Sequence, residues 1–363
     1  MTVIHTGETE TKAMKEAFTR LGFFLQSIID KDLEPNDDRT EFDSVLVRAR
    51  QKNPWFTEDN TRLAFSTWAD ALQEDKINQW LTPYFDQLKK EHTPKTIGVI
   101  NAGNIPLVGF HDLIAVLMSG NKYLGKNASD DPYLLPYIAQ QLIRIEPTLK
   151  DRISFSEKLS GFDAVIATGS NNSARYFDYY FGKYPNIIRM NRNAVAVLMG
   201  NETEQDLKNL GKDIFLFFGL GCRNVSKIFV PAGYNLDQLF EALESFSNIS
   251  QHNKYMNNHD YNNAVYLLKT IPFLDNGFMI VKEDEAIASP ISVVYYEFYE
   301  DLTVLETKLA ADKEKIQCIV FNGPPASLNT GTPVLKFGEA QFPQLWEYAD
   351  GVDTMKFLLS LTD

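Results

Sequence analysis

Apolar residues recur along this chain with two different spacings, and the change comes near residue 96. Before that point the pattern is helical. Glu10–Ile29 carries Ala13, Met14, Phe18, Leu21, Phe24 and Leu25 at steps that return to one helix face. A polar break at Asn36–Arg39 follows. Thr57–Leu72 and Asp75–Glu91 repeat the helical pattern, and Thr57 with Asp59 supplies capping chemistry for the former. These helices are expected to pack over the sheet that comes next.

From Thr96 the pattern alternates. Thr96–Asn101 is a short β-branched run, Ala102–Pro106 a turn, Leu107–Met118 an apolar helix, and Lys122–Leu124 the next strand. Asp163–Ala167 then reads as a strand, Thr168–Asn172 as a turn and Ser173–Phe181 as a helix. Ile187–Ile188 and Ala194–Leu198 are again strand-like. Further on, Leu207–Phe218 predicts a helix ending at Gly219, and Leu236–Phe246 and Thr303–Lys313 predict two more. Lys227–Val230, Met279–Lys282, Val293–Tyr299 and Ile316–Phe321 read as strands. Gln251–Asn263, dense in Asn and His, reads as a polar loop. Strands alternating with helices predict parallel sheets with helices on their faces, hence an α/β protein. With 363 residues the chain is too long for one average core, and a boundary at Gly200–Thr203 divides it into lobes of residues 1–200 and 201–363.

Composition narrows the possible partners. A formal net charge of -13 argues against nucleic acid and against an anionic membrane surface, both of which need clustered Lys and Arg. The longer apolar runs, such as Ile214–Phe218 and Ala194–Met199, are far too short to span a bilayer. Met1–Thr11 has no basic n-region or apolar h-region, so no secretory signal is expected, and two cysteines are too few for a disulfide framework. A cytoplasmic enzyme or binding protein is the expectation.

Four places carry candidate chemistry. Cys222 stands in Phe218-Gly219-Leu220-Gly221-Cys222-Arg223-Asn224, where glycines permit close backbone approach and Arg223 is a cation able to favour thiolate. By itself the segment fits a small buried hydrophobe better than a nucleophile. Gly219 and Gly221 do not complete a dinucleotide fingerprint, because Asn224 takes the place of the third glycine and a helix precedes them. Asn101, Ala102, Gly103 and Asn104 form a strand-to-helix turn, a favoured place for a cofactor or substrate, and Asn104 offers an amide donor to an oxyanion; an Asx turn starting the helix explains the same residues. Gly169 and Ser170 follow a strand and precede a helix, which suits a phosphate or a plain N-cap. Lys126, before Ser129 and Asp130, reads alone as a surface lysine. The five histidines show no metal-ligand spacing, and no catalytic metal is expected.

In order and separation these segments resemble the aldehyde dehydrogenase superfamily, and within it the acyl-CoA reductases of the bacterial-luminescence fatty-acid reductase type, from about Ile97 to the end. Gly98–Pro106 resembles the segment ending in the oxyanion-hole asparagine, here Asn104. Gly120-Asn121 with Lys126 and Ser129 resembles the stretch holding the adenosine ribose, and Ala167–Ser170 the turn that touches the cofactor's pyrophosphate. Phe218–Val230 resembles the nucleophile segment with Cys222 as nucleophile, and Phe337–Gln341 and Tyr348–Asp353 the carboxyl-terminal segment. The resemblance implies an aldehyde dehydrogenase-like fold of two Rossmann-like α/β lobes with a helical N-terminal segment. The first lobe would bind the cofactor, the second would carry the nucleophile, and a homo-oligomer is usual.

Two departures refine the expectation. The general-base glutamate of hydrolytic relatives would fall in Arg189–Val195, which holds no carboxylate. Activating water needs a base, whereas exchange between thiols on a thioester scarcely does. At Glu285–Pro290, where relatives hold the nicotinamide ribose, only Pro290 is retained. The implied reaction is reduction of an acyl-CoA, of long fatty chain, through a Cys222 acyl-enzyme, with Asn104 and the Cys222 N–H as oxyanion donors. Ser129 stands where a carboxylate would repel a 2′-phosphate, which favours NADPH, with NADH the alternative given Asp130 and Asp131 nearby. A hydrolytic or acyl-phosphate dehydrogenase, or a non-catalytic cofactor-binding protein, are the other readings.

Overall fold

A computed structural model of the chain describes residues 7–30, 36–169, 171–324 and 328–361. It divides into two compact units, residues 1–190 with 344–363, and residues 191–343. This differs from the expected boundary in two ways. The cut falls just before the strand at 193–197, because that strand pairs in the second sheet, and the carboxyl-terminal residues return to the first unit.

The first unit begins with helices α1 (Gly7–Ile29), α2 (Asp37–Lys52), α3 (Glu58–Ala71), α4 (Glu74–Leu81) and α5 (Phe85–Leu88). Helix α1 buries Met14, Phe18, Leu21, Leu25 and Ile28 along one stripe. The polar break at 36–39 is the start of α2, whose first turn is capped by Asn36 accepting from Arg39 N, and Thr57 caps α3 in the same way. The alternating part follows: β1 (Thr96–Ile100), α6 (Phe110–Met118), β2 (Lys122–Lys126), α7 (Leu134–Ile145), β3 (Ile153–Phe155), β4 (Ala164–Thr168), α8 (Asn171–Phe181) and β5 (Asn186–Arg189). Helix α1 packs on α3, α6 and α7, so the N-terminal helices form a layer outside the helices that cover the sheet. The five strands are parallel in the order β3-β2-β1-β4-β5. The chain moves outward from β1 to β3 and then crosses to β4, so the strand order reverses between β1 and β4, and their carboxyl ends flank a crevice.

The second unit contains β6 (Asn193–Val197), α9 (Glu204–Phe215), β7 (Val225–Pro231), α10 (Asp237–Leu243), α11 (Asn253–Leu268), β8 (Leu274–Asp275), β9 (Ile280–Glu283), β10 (Val293–Tyr299), α12 (Leu302–Ala311), β11 (Ile316–Phe321) and β12 (Val334–Leu335). Its seven strands run in the order β12-β11-β6-β7-β10-β9-β8, all parallel except the β8–β9 pair. Residues of β6 and β7 alternate between two cores. Ala194, Ala196, Ile228 and Val230 face Leu207, Leu210 and Ile214 of α9, while Val195, Val197 and Phe229 face Leu305 and Leu309 of α12. Cys318 lies wholly inside the first of these cores. Among the described residues no helix is long and apolar enough to cross a membrane.

Two expected elements differ. The polar loop expected at Gln251–Asn263 is instead the start of α11, capped by His252 accepting from Tyr255 N. No apolar stripe announces it because its buried positions include His259 and Asn262, satisfied by Asp275 at 2.9 Å and by the Ile291 carbonyl at 3.0 Å. The helix expected to reach Phe218 ends at Phe215, since Phe217 and Phe218 have φ of 53° and 57°.

Buried acids tie the ends of elements together within each unit. At the end of β5, Arg189 forms a two-pronged pair with Asp112 of α6 (2.6 and 2.8 Å) and donates to Thr354 Oγ1 at 3.1 Å, which opens the last helix, α13 (Thr354–Ser360). In the second unit, wholly buried Asp213 of α9 accepts from Gly338 N (2.6 Å) and Ala340 N (3.0 Å), clamping the segment after β12. Burial pushes its carboxyl up to about 7, although those two N–H groups pull it down.

Asp112→Ala removes the carboxylate whose two oxygens hold the buried Arg189 guanidinium, and should cost about 3–5 kcal/mol in urea unfolding, while Asp112→Leu with Arg189→Met should recover most of the loss. A single variant within about 1 kcal/mol of wild type would contradict the pair's role. Asp213 gives a second expectation. Because the folded carboxyl keeps its proton to higher pH than an unfolded aspartate, the folded state binds more protons across that interval, and stability falls as pH rises through it. Wild type should therefore lose stability relative to Asp213→Asn by about 1 kcal/mol per pH unit from pH 5 to 7, then level off. Thermal melts of both proteins across this range test it; a difference independent of pH rules it out.

Candidate active site

The carboxyl edge of the first sheet gathers most of the residues singled out by sequence. Asn101 leaves β1 with its N–H bonded to the Lys126 carbonyl at 2.9 Å, so the ends of β1 and β2 stay adjacent. Its buried amide donates to Tyr123 Oη (2.9 Å) and Asn127 Oδ1 (3.2 Å), which makes Asn101 a brace of the turn, its side chain facing protein. Gly109 is required there, since a Cβ on it would lie 1.9 Å from Asn101 Oδ1. Gly103 is flush against the β2–α7 loop, where a Cβ would come within 2.7 Å of Ala128 Cβ, and its carbonyl accepts from Asn53 of the N-terminal helical layer at 3.1 Å. Ala102 is half-buried and Asn104 exposed on the same turn.

Asp131, which no motif marked as structural, holds this edge together. It accepts from the backbone N–H of Leu134 and Tyr133 at the start of α7 and of Leu107, a residue with φ of 63° in the β1–α6 turn. Burial pushes its carboxyl up to about 6 against those bonds. Lys126, Ser129 and Asp130 are exposed beside it. Past β4, Gly169 packs so closely that a Cβ would lie 2.8 Å from the Phe177 ring and 2.9 Å from Ser173 Cβ. Ser170 lies outside the described residues. Three loops, after β1, β2 and β4, thus meet along one edge, with glycines where backbone must be bare.

Cys222 belongs to the second unit and stands exposed in the turn between α9 and β7, while Arg223 and Asn224 on either side of the following bond are buried. Three consecutive residues before it, Phe217, Phe218 and Gly219, have φ of 53°, 57° and 75°. Only the third is glycine, so the segment stores strain of about 1–3 kcal/mol for each phenylalanine. The Phe218 ring packs on His252 with centroids 4.2 Å apart. Within the turn, Asn224 N donates to Gly221 O at 3.1 Å, and Asn224 O accepts from Ala194 N at 2.9 Å. From the segment after β12, Gln341 donates to the carbonyls of Arg223 (3.0 Å) and Asp213 (3.4 Å).

Sequence reasoning also missed Lys227. This fully buried lysine on β7 donates to the carbonyls of Asp284 and Glu285 (2.9 Å each) and to Glu297 (2.6 Å), and its neighbour Ser226 donates to Ile287 O at 2.7 Å. Burial lowers its pKa, opposed chiefly by its bond to Glu297. Together they pin the loop that departs from the superfamily motif at Glu285–Pro290. The one available signal was a cation in the middle of an apolar strand. The stretch Arg189–Val195 joins β5 to β6 and has no carboxylate of its own.

Residues 84–267, just over half of the chain, match the family model described as Acyl-CoA reductase (LuxC). No curated protein matches the sequence. Among solved structures, the chain is similar to aldehyde dehydrogenase 21 from Physcomitrella patens in complex with succinate, with a TM-score of 0.65 and 12% identity over 97% of this chain and 84% of that one. An indole-3-acetaldehyde dehydrogenase complexed with NAD+ gives 0.63 and 13% over 92% and 78%. A NAD-dependent aldehyde dehydrogenase from Burkholderia multivorans gives 0.60 and 12% over 96% and 77%. At such identities the likeness establishes the fold, and it is that of the aldehyde dehydrogenases. With a family model matching just over half of its length, the chain belongs to the acyl-CoA reductase (LuxC) family.

Proposed function

We propose that this acyl-CoA reductase takes the acyl group onto Cys222 and releases it as an aldehyde. The observation that carries the proposal is the exposure of Cys222 at the crest of a turn whose flanking residues are buried and tied down. The Cys222 thiolate attacks the thioester carbonyl, a new C–S bond forms, and the C–S bond to CoA breaks as its thiolate leaves. The Cys222 N–H donates to the oxyanion, a contribution of about 3 kcal/mol. Exposed Asn104 is proposed as an amide donor in the same chemistry. A reduced nicotinamide cofactor, when bound, supplies the hydride that takes the acyl group to the aldehyde level. The Cys222 thiolate is then expelled and the aldehyde departs.

The carboxyl edge of the first sheet suits such a cofactor. The strand order reverses between β1 and β4, Gly103 and Gly169 leave backbone bare, and the start of α8 offers a helix N-terminus to a pyrophosphate. Solved structures of similar fold carry NAD+, which supports a nicotinamide for this chain. NADPH is the form we propose. Lys126 and Ser129 are exposed at the end of β2, and buried Asp131 has its carboxyl engaged by Leu134 N. Exposed Asp130 is the feature that favours NADH. Membership in the family supports a fatty acyl group. The lack of a carboxylate in Arg189–Val195 supports transfer between thiols over hydrolysis.

Incubation with a fatty acyl-CoA in the absence of reductant should add the acyl mass to the intact protein and map it to Cys222. Cys222→Ala should take up no acyl group and lose acyl-CoA-dependent NAD(P)H oxidation by at least about a thousandfold. An adduct that survives in the alanine variant would refute the proposal.

A further inference from the structure

Gln341 stands at the head of a chain of hydrogen bonds that ends at the nucleophile. A trans peptide points its carbonyl and its N–H in opposite directions. Gln341 Nε2 donates to Arg223 O at 3.0 Å. The N–H on the far side of that same peptide belongs to Asn224, and it donates to Gly221 O at 3.1 Å. The N–H opposite Gly221 O belongs to Cys222. Two peptide planes are therefore aligned in series from the glutamine to the Cys222 N–H, and each bond polarises the next.

The glutamine is itself held. Its segment is clamped by Asp213 through Gly338 N and Ala340 N, and Gln341 Nε2 also donates to the Asp213 carbonyl at 3.4 Å. On the other flank, Asn224 O accepts from Ala194 N of β6 at 2.9 Å, so the second peptide is anchored to the sheet. These hydrogen bonds run between the Gln341 amide and backbone groups. What they set is the direction and donor strength of one N–H.

We propose that Gln341 is a positioning residue for the oxyanion donor of Cys222, acting through the Arg223–Asn224 and Gly221–Cys222 peptides. The proposal rests on Cys222 being the nucleophile. Its consequence is a split between two reactions of the same sulfur. Acylation by acyl-CoA passes through an oxyanion, whereas alkylation by iodoacetamide displaces iodide at a CH₂ group and forms none.

The test measures both rates on full-length wild type, Gln341→Leu and Gln341→Glu by intact mass. The leucine removes the donor at similar volume, and the glutamate keeps a polar side chain of the same length. Acylation should slow about ten- to a hundredfold in Gln341→Leu, with alkylation of Cys222 within about twofold of wild type. Gln341→Glu should show the same loss at pH 8 and recover as pH falls and its carboxyl gains a proton to donate. Equal slowing of both reactions, or acylation at the wild-type rate, overturns the assignment. Failure of wild type to acylate while Cys222 still alkylates refutes the nucleophile reading instead, and the positioning role with it.

Discussion

The second unit is organised around one strained turn. Two phenylalanines in succession occupy the left-handed region, where only glycine is at ease, and each is unfavourable by about 1–3 kcal/mol. Such a conformation persists only where its surroundings over-determine it. Here the Phe218 ring is packed on His252, which in turn caps α11, so the strain is tied to the start of a long helix. Gly219 sits where a Cβ would come within 3.0 Å of Asn224 Nδ2, so the third left-handed residue must be small as well as permissive.

Aspartates recur as the means by which this acidic chain fastens loops. Asp131 gathers the N–H groups of two elements in the first unit, and Asp213 gathers two from one segment in the second. Both are buried, both accept from backbone, and burial raises both carboxyls toward neutrality against those bonds. The cost of desolvation is real, but a carboxylate offers several lone pairs at one point, which no neutral side chain matches. Lys227 does the converse, presenting three donors to two carbonyls and Glu297. A buried charge in this protein therefore marks a place where irregular backbone has been fixed.

Local signals made much of this readable from sequence. The β1 and β4 runs, the bare turns after them and the cap at Thr57 follow from apolar spacing and turn chemistry within a few residues of each other, whereas Asn36, the cap of α2, read only as part of a polar break. Cys222 and the glycine turns could be picked out for the same reason. What escaped depended on distant contact. Helix α11 has a buried side of Tyr, His and Asn whose partners lie on other elements, so no periodic stripe revealed it. The early end of α9 hangs on a left-handed phenylalanine pair, which no propensity predicts. Gln341, Asp131 and Lys227 look like ordinary polar residues until the backbone groups they reach are known. The return of residues 344–363 to the first unit is of the same kind, since it depends on contacts such as His111 Nε2 with Leu345 O at 2.9 Å.

The stretch Arg189–Val195 holds no carboxylate, and the acid that meets its first residue is given over to the fold. Asp112 lies buried beside the end of β5, and both of its oxygens accept from the Arg189 guanidinium, at 2.6 and 2.8 Å. Both oxygens of this carboxylate face a permanent cation, a two-pronged geometry that gives the pair direction as well as strength. The arginine that closes β5 thus consumes an acid in building the fold. The acyl-enzyme proposed on Cys222 must survive in water until it is reduced. That is the requirement that separates an acyl-CoA reductase from a hydrolytic dehydrogenase: the thioester must be stable toward water and still reactive toward hydride.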